Sequence, residues 1–240
     1  MMEHLKGLRL FDTIKDKNLR FQCFYEKCPN SCCKSIHTAE IGFNEMFSLS
    51  RYFVIHFPYD SENKTFIGNA IMGFAEENTG CVYLEDGKGC KLGKDRPLFC
   101  KAYPFFIHPD TSRLIIDPAC PGFSEDEGSI IYKEEGISQD IERNYLIYGA
   151  HLAEDILRMR EFTKFLYEND LLVTGDIELK GKSLRVNFVD EKKLISLKRE
   201  KLEEAMEKNY LKAIYAHINS FKNTERLSEK LEGGDDIVIV

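Results

Sequence analysis

Cys23, Cys28, Cys32 and Cys33 fall within eleven residues, and Cys81, Cys90, Cys100 and Cys120 within a further forty, so all eight cysteines lie in the first half of the 240-residue chain. A thiolate acting as a ligand carries a full negative charge, and several on one short stretch need a cation to hold them together. Metal binding is the chemistry this clustering points to. Three forms of cysteine chemistry stay open. A disulfide framework suits short secreted chains, whereas the opening Met1-Met-Glu-His-Leu-Lys-Gly7 is charged and has no apolar signal core. Structural zinc suits an all-thiolate set, but its usual C-x2-C knuckle is absent here. An iron–sulfur cluster takes soft thiolates at irregular spacings, because its corners are farther apart than the faces of one ion. Cys28-x3-Cys32 is followed at once by Cys33 and so does not open a C-x3-C-x2-C triad of the radical-SAM kind. In extended backbone the adjacent Cys32 and Cys33 point to opposite faces. The eight thiols then divide into two four-ligand sites, or into one site with supporting thiols.

The segments Phe21-Gln-Cys23-Phe-Tyr-Glu-Lys-Cys28-Pro-Asn-Ser-Cys32-Cys33, Cys81-Val-Tyr-Leu-Glu-Asp-Gly-Lys-Gly-Cys90, Arg96-Pro97-Leu-Phe-Cys100-Lys-Ala-Tyr103-Pro104-Phe105 and Cys120-Pro121-Gly122 carry a resemblance. Together they resemble the YkgJ-type CxxCxxCC cysteine-cluster family, regarded as a zinc- or iron-chelating domain. The C-x4-C-x3-C-C spacing of the first four cysteines also resembles that of flagellin lysine-N-methylase. The likeness covers about residues 19 to 123. It implies a zinc, iron or iron–sulfur centre and, under the methylase likeness, S-adenosylmethionine and a protein lysine substrate.

The elements that must position these thiols are short. Leu19 to Cys23 alternates and predicts a strand that delivers Cys23, and Pro29-Asn30-Ser31 is turn chemistry able to bring Cys28 and Cys32 together. Ile41, Met46, Leu49 and Phe53 predict a helix from Ala39 to Phe53, with Gly42 weakening its start. His37 could add a nitrogen ligand, although a surface position is the simpler reading. Cys81 and Cys90 are placed near the two ends of a hairpin, whose Gly87-x-Gly89 is a turn and lacks the context of a nucleotide fingerprint. Arg96-Pro97 predicts a short helical turn presenting Cys100 at an N-terminus, which favours thiolate. Tyr103-Pro104-Phe105-Phe106 would end that turn and pack over the cluster, or serve as ordinary core. Arg96 and Tyr103 are therefore the candidate cofactor-binding residues beside the eight candidate ligands. Lys88, Lys91, Lys94 and Lys101, with Lys27 and Lys34, add positive charge near the thiols, unless they form a solvated basic face. Ile107 to Ile116 reads as another hairpin.

Beyond Cys120 the pattern changes. Residues 1 to 18 read as a poorly ordered or short helical lead-in, and Glu125-Asp126-Glu127-Gly128 as a solvated connection. Ser138 is expected to cap an amphipathic helix running to about Glu168, with Gly149 at a close packing contact. Leu171 to Val189 alternates as a β-hairpin around Lys180-Gly181-Lys182. Asp190 can cap a helix to about Lys208, Asn209 breaks it, and further helices follow from Tyr210 and near Thr224. Gly233 to Asp236 is a break before Ile237-Val-Ile-Val240, read as a paired terminal strand.

The expected fold is α+β: an irregular cysteine-rich loop-and-hairpin domain (19–123) packed on a mainly helical second half (124–240) with a hairpin at about 171–189. The longest apolar run is far short of the roughly 20 residues a spanning helix needs, so the cytoplasm, where thiols stay reduced, is the expected compartment. A formal charge of −7 argues against nonspecific nucleic-acid binding. No Ser/His/Asp, paired-carboxylate or phosphate-loop constellation is recognisable. The expected function is metal binding through clustered cysteines. A protein-lysine methyltransferase and a noncatalytic interaction module with structural metal are the alternatives.

Overall fold

Hydrophobic periodicity is strongest in the second half, and there the longest elements form. The computed structural model describes residues 7–24, 28, 32–35, 39–57, 59–60, 65–66, 71–73, 75–76, 80–85, 88–179, 182–230 and 237–238. The expected turns at Pro29–Ser31, Gly87 and Lys180–Gly181, the residues Lys27 and His37, and the break at Gly233–Asp236 lie outside them. The helix Ile147–Glu168 buries Leu152, Ile156, Met159, Phe162 and Leu166 along one face, as its three- and four-residue spacing requires. Ser138 sits at the expected N-cap of a lead-in helix, Gln139–Ile141, but its hydroxyl is buried with no hydrogen-bond partner. A π-helical turn, Glu142–Leu146, joins the two helices and shifts the facing of the residues it carries, Tyr145 among them. Gly149 is where the long helix meets the strand Phe105–Ile107: a Cβ there would lie 3.3 Å from the Phe105 carbonyl oxygen.

The strands Leu172–Leu179 and Lys182–Val189 pair antiparallel from Leu172↔Val189 to Leu179↔Lys182. Asp190 caps the next helix by accepting the Lys192 N–H at 2.8 Å. The single helix expected up to Lys208 is two, Glu191–Ile195 and Arg199–Glu207, and Asn209 (φ 60°) takes the left-handed conformation before Tyr210–Ser220 and Asn223–Lys230.

The cysteine-bearing half is built from small two- and three-stranded sheets. Ile71–Gly73 lies between Ala39–Glu40 and Val54–His56, and Leu114–Ile116 between Arg9–Leu10 and Phe105–Ile107. Arg20–Phe21 is flanked by Phe123–Ser124 and Ser129–Ile130, so the acidic connection is the loop between two neighbours of one strand. Ile237–Val238 pairs with Ala75–Glu76, as expected of a paired terminal strand.

Two expectations are corrected. The lead-in contains an ordered strand, because the buried Asp16 carboxylate accepts two bonds from Arg9 (2.6 and 2.7 Å) and one from the Asp12 N–H. The helix expected over Ala39–Phe53 shrinks to Met46–Leu49. Glu45 instead ties separate elements together, accepting the N–H groups of Gly42 (3.1 Å) and Leu98 (2.8 Å). Gly42 passes so close to the long helix that a Cβ would meet Asp155 at 2.5 Å. The architecture is mixed α+β, and three apolar cores each draw residues from both sides of residue 123. The largest gathers Ile41, Phe57 and Tyr83 with Phe162, Leu166 and Ile214. A second joins Phe21 and Phe105 to Ile131 and Ile141, and a third joins Phe99 and Phe106 to Leu152 and Ile156.

Candidate functional site

Each cysteine sits at the end of a short element or just beyond one. Cys23 follows the strand Arg20–Phe21 and is exposed; Cys32 and Cys33 open the four-residue helix Cys32–Ser35, which packs against the strand Gly80–Cys81. Cys90 ends the strand Gly89–Cys90, with Leu84 opposite it. Cys100 lies in the helix Leu98–Ala102, whose N-cap is Pro97, as the Arg96-Pro97 reading expects. All eight cysteines are thiols, with no disulfide between them.

Burial dominates the thiol electrostatics. It pushes Cys81 up to about 12, and the neighbouring Cys33 and Cys90 push the same way. Cys90 is raised by burial and by Cys33, while the Arg96 guanidinium opposes the shift. Cys100 is raised well above the ordinary thiol range by burial and by Cys81, Cys33 and Cys90. Cys33 thus lies within electrostatic reach of three thiols far from it in sequence. Cys120, pushed to about 11 by burial, feels Cys28 and Cys23. The Cys32 thiol donates to the Cys33 sulfur, which raises it strongly, and it also feels Cys100 and Cys23.

Backbone amides are aimed at three of the sulfurs. Cys81 accepts from the N–H groups of Tyr83 and Leu84, Cys90 from those of Leu92 and Gly93, and Cys120 from that of Gly122. Such bonds stabilise a thiolate against its thiol and tune any metal it holds. Sequence reasoning missed this feature. Its signal was present: each of these cysteines is followed at once by a tight turn, marked in two cases by Gly93 and Gly122.

Two tyrosines flank the thiols. Tyr145, carried by the π-helical turn, donates its hydroxyl to Cys23 and is pushed to about 12 by burial and by that sulfur. Tyr103 donates to Asp117 at 3.0 Å; burial raises it strongly, with Asp117, Cys120 and Cys32 adding to the shift. Arg96 acts on both Cys90 and Tyr145. Arg96 and Tyr103, the two candidate cofactor-binding residues, therefore both border the thiols, and Tyr145 joins them. Of the lysines, Lys88 and Lys91 face Glu85, at 2.6 and 3.8 Å, and Lys101 lies over the Tyr148 ring.

One expectation is corrected here. Among the described residues no three histidine, cysteine, aspartate or glutamate side chains are gathered closely enough to hold a metal ion, so a ready-made metal-binding or 4Fe–4S cage is absent from them. Physically, a thiol, unlike a thiolate, carries no charge that a cation must satisfy, so without a metal nothing draws such groups together. A shallow groove lined by Asn169, Asp170, Lys193 and Lys198 lies elsewhere, on the helical side.

No curated protein and no solved structure matches the chain. Residues 17–227 match the sequence profile of the SapC family. That match overturns assignment to the YkgJ-type family and removes the support that the methylase likeness drew from the same motif. The earlier resemblance rested on the cysteine-bearing segments of residues 19 to 123, whereas the profile spans both the cysteine-bearing and the helical halves; the chain belongs to the SapC family.

Proposed function

We propose that the protein binds a soft metal, zinc, iron or an iron–sulfur cluster, through its cysteines in a reducing compartment such as the cytoplasm. What supports this reading is that Cys33 acts electrostatically on Cys81, Cys90 and Cys100, thiols far from it in sequence, while the helix that carries it packs on the strand Gly80–Cys81. Ordinary core packing has no need to bring thiols together, while soft cations are selected by sets of this kind. The amides on Cys81, Cys90 and Cys120 support the reading as well, since they favour the ionised form, which burial otherwise opposes. A bound cation would supply the missing positive charge and displace the protons. Arg96 contributes part of that charge beside Cys90, while Tyr103 acts with Cys120 and Cys32, and Tyr145 with Cys23 and Cys120. No described helix is long and apolar enough to cross a membrane. The net charge of −7 favours a protein or small-molecule partner over nucleic acid.

Purification without air, followed by elemental analysis for zinc and iron, assay of acid-labile sulfide and an absorption spectrum, tests the reading. Stoichiometric metal is the expected result. A folded, fully reduced chain with no bound metal would overturn it.

A further inference from the structure

We propose that Cys23 is a site of oxidation by hydrogen peroxide and that Cys120 resolves it, the two thiols closing a disulfide between the end of the strand Arg20–Phe21 and the turn before Phe123. This goes beyond the metal-binding reading and does not depend on it.

Strand register brings the two thiols together. Phe21 lies opposite Phe123, and the Gln22 N–H donates to the Gly122 carbonyl at 2.9 Å. Continued by one residue, that register sets Cys23 against Pro121, next in sequence to Cys120. The Phe123 N–H donates back to the Cys120 carbonyl at 3.2 Å, so the turn keeps Cys120 at the end of the strand pair. The two backbones approach closely here: a Cβ on Gly122 would lie 2.6 Å from the Gln22 carbonyl oxygen. The side chains agree with the backbone. In extended chain Cys23 shares a face with Phe21, whose ring meets those of Phe123 and Tyr145, each at 5.3 Å between centroids. The Tyr145 hydroxyl donates to the Cys23 sulfur, and Cys120 packs on the same aromatic core. A disulfide spans Cα atoms about 4.4–6.8 Å apart, a range that includes residues one step off register on paired strands.

Exposure decides which thiol reacts first. Cys23 is exposed, whereas the other seven cysteines are partly buried. An oxidant must reach the sulfur that attacks it, and susceptibility follows that access. The Cys23 sulfur attacks one peroxide oxygen: an S–O bond forms as the O–O bond breaks, leaving a sulfenic acid on Cys23 and one water. The Cys120 sulfur then attacks that of Cys23: the S–S bond forms as the S–O bond breaks, and a second water leaves. The two thiols lose two electrons and two protons, which the peroxide takes up. Cys28 also acts on Cys120, but it is partly buried and no described strand carries it to this pair.

The test adds one equivalent of hydrogen peroxide to the full chain purified without air, then alkylates the remaining thiols and maps the peptides. The first product should be the Cys23–Cys120 disulfide. In Cys120→Ser the sulfenic acid on Cys23 has no partner, and a cyclic 1,3-diketone should capture roughly tenfold more of it than in the parent. Cys23 recovered as a thiol, whether or not another cysteine has been oxidised, would overturn the inference in the parent chain alone. So would Cys23 joined to Cys28 or Cys32, or equal capture of the sulfenic acid in parent and variant. Zinc and iron measured in the same sample before peroxide is added decide the metal-binding reading separately.

Discussion

The two halves of the molecule are stabilised by different means. The helical side has a 22-residue helix and a hairpin of two eight-residue strands, with Phe162 fully buried among Phe43, Phe57 and Tyr210. The cysteine side has strands of two or three residues joined by turns, and among its described residues seven of the eight thiols are partly buried. Short ladders supply few hydrogen bonds and little apolar area per element. The comparison teaches that the helical side can stand on burial, while the cysteine side gains most from ligands that cross-link its turns.

The largest expected effect comes from removing metal. With a chelator under reducing conditions, amides of the strands around Cys81, Cys90 and Cys120 should exchange orders of magnitude faster, while the helix Ile147–Glu168 keeps its protection. Equal protection before and after would erase the distinction between the halves. Next, Phe162→Ala should cost about 3–5 kcal/mol in denaturant unfolding, through lost burial and the cavity left among its aromatic neighbours. A cost under about 1 kcal/mol would mean the helical side does not rest on this core.

A smaller effect sharpens the comparison through pH. His217 is fully buried; its Nδ1 donates to the Ile55 carbonyl at 2.8 Å and its Nε2 accepts the Val189 N–H at 3.1 Å. Burial lowers it from 6.5 to about 3, with the Ile55 bond opposing. A folded-state value below the unfolded one means that the unfolded chain takes up the proton first. Its contribution is therefore complete above 6.5 and declines as pH falls toward about 3, by roughly 1.4 kcal/mol per pH unit. The parent should lose stability between about pH 6.5 and 5 more steeply than His217→Gln does; identical slopes would contradict the assignment. Smallest of all, Asp190→Ala should cost about 1 kcal/mol by removing the cap on the Lys192 N–H. Unfolding midpoints of the two proteins would measure it.

Legibility in the sequence follows the same division. The helix to Glu168, the hairpin from Leu172 to Val189, the Asp190 cap and the break at Asn209 were readable because period and capping chemistry are local. The segment from Ala39 to Phe53 was misread because Glu45 bonds to Leu98, 53 residues away, and Gly42 yields to Asp155, contacts that no local pattern announces. At the candidate site, the thiols and their neighbours Arg96 and Tyr103 were readable from residue type. The part of Tyr145 was not, since it depends on the π-helical turn that aims it at Cys23. Family membership was misjudged because the cysteine spacing is conspicuous, while the pattern that defines the family extends through residue 227.

The most direct test of the central claim is the metal content of Cys100→Ser, prepared without air beside the parent chain. Serine keeps nearly the same volume and removes the soft ligand, and Cys100 lies sixty-seven residues from Cys33, which nonetheless acts on it electrostatically in the fold. The account predicts that the variant holds clearly less metal than the parent while the helix Ile147–Glu168 retains its amide protection. Full parental metal content and an unchanged spectrum would show that Cys100 is a buried packing residue, and that the distant thiols do not complete a common site.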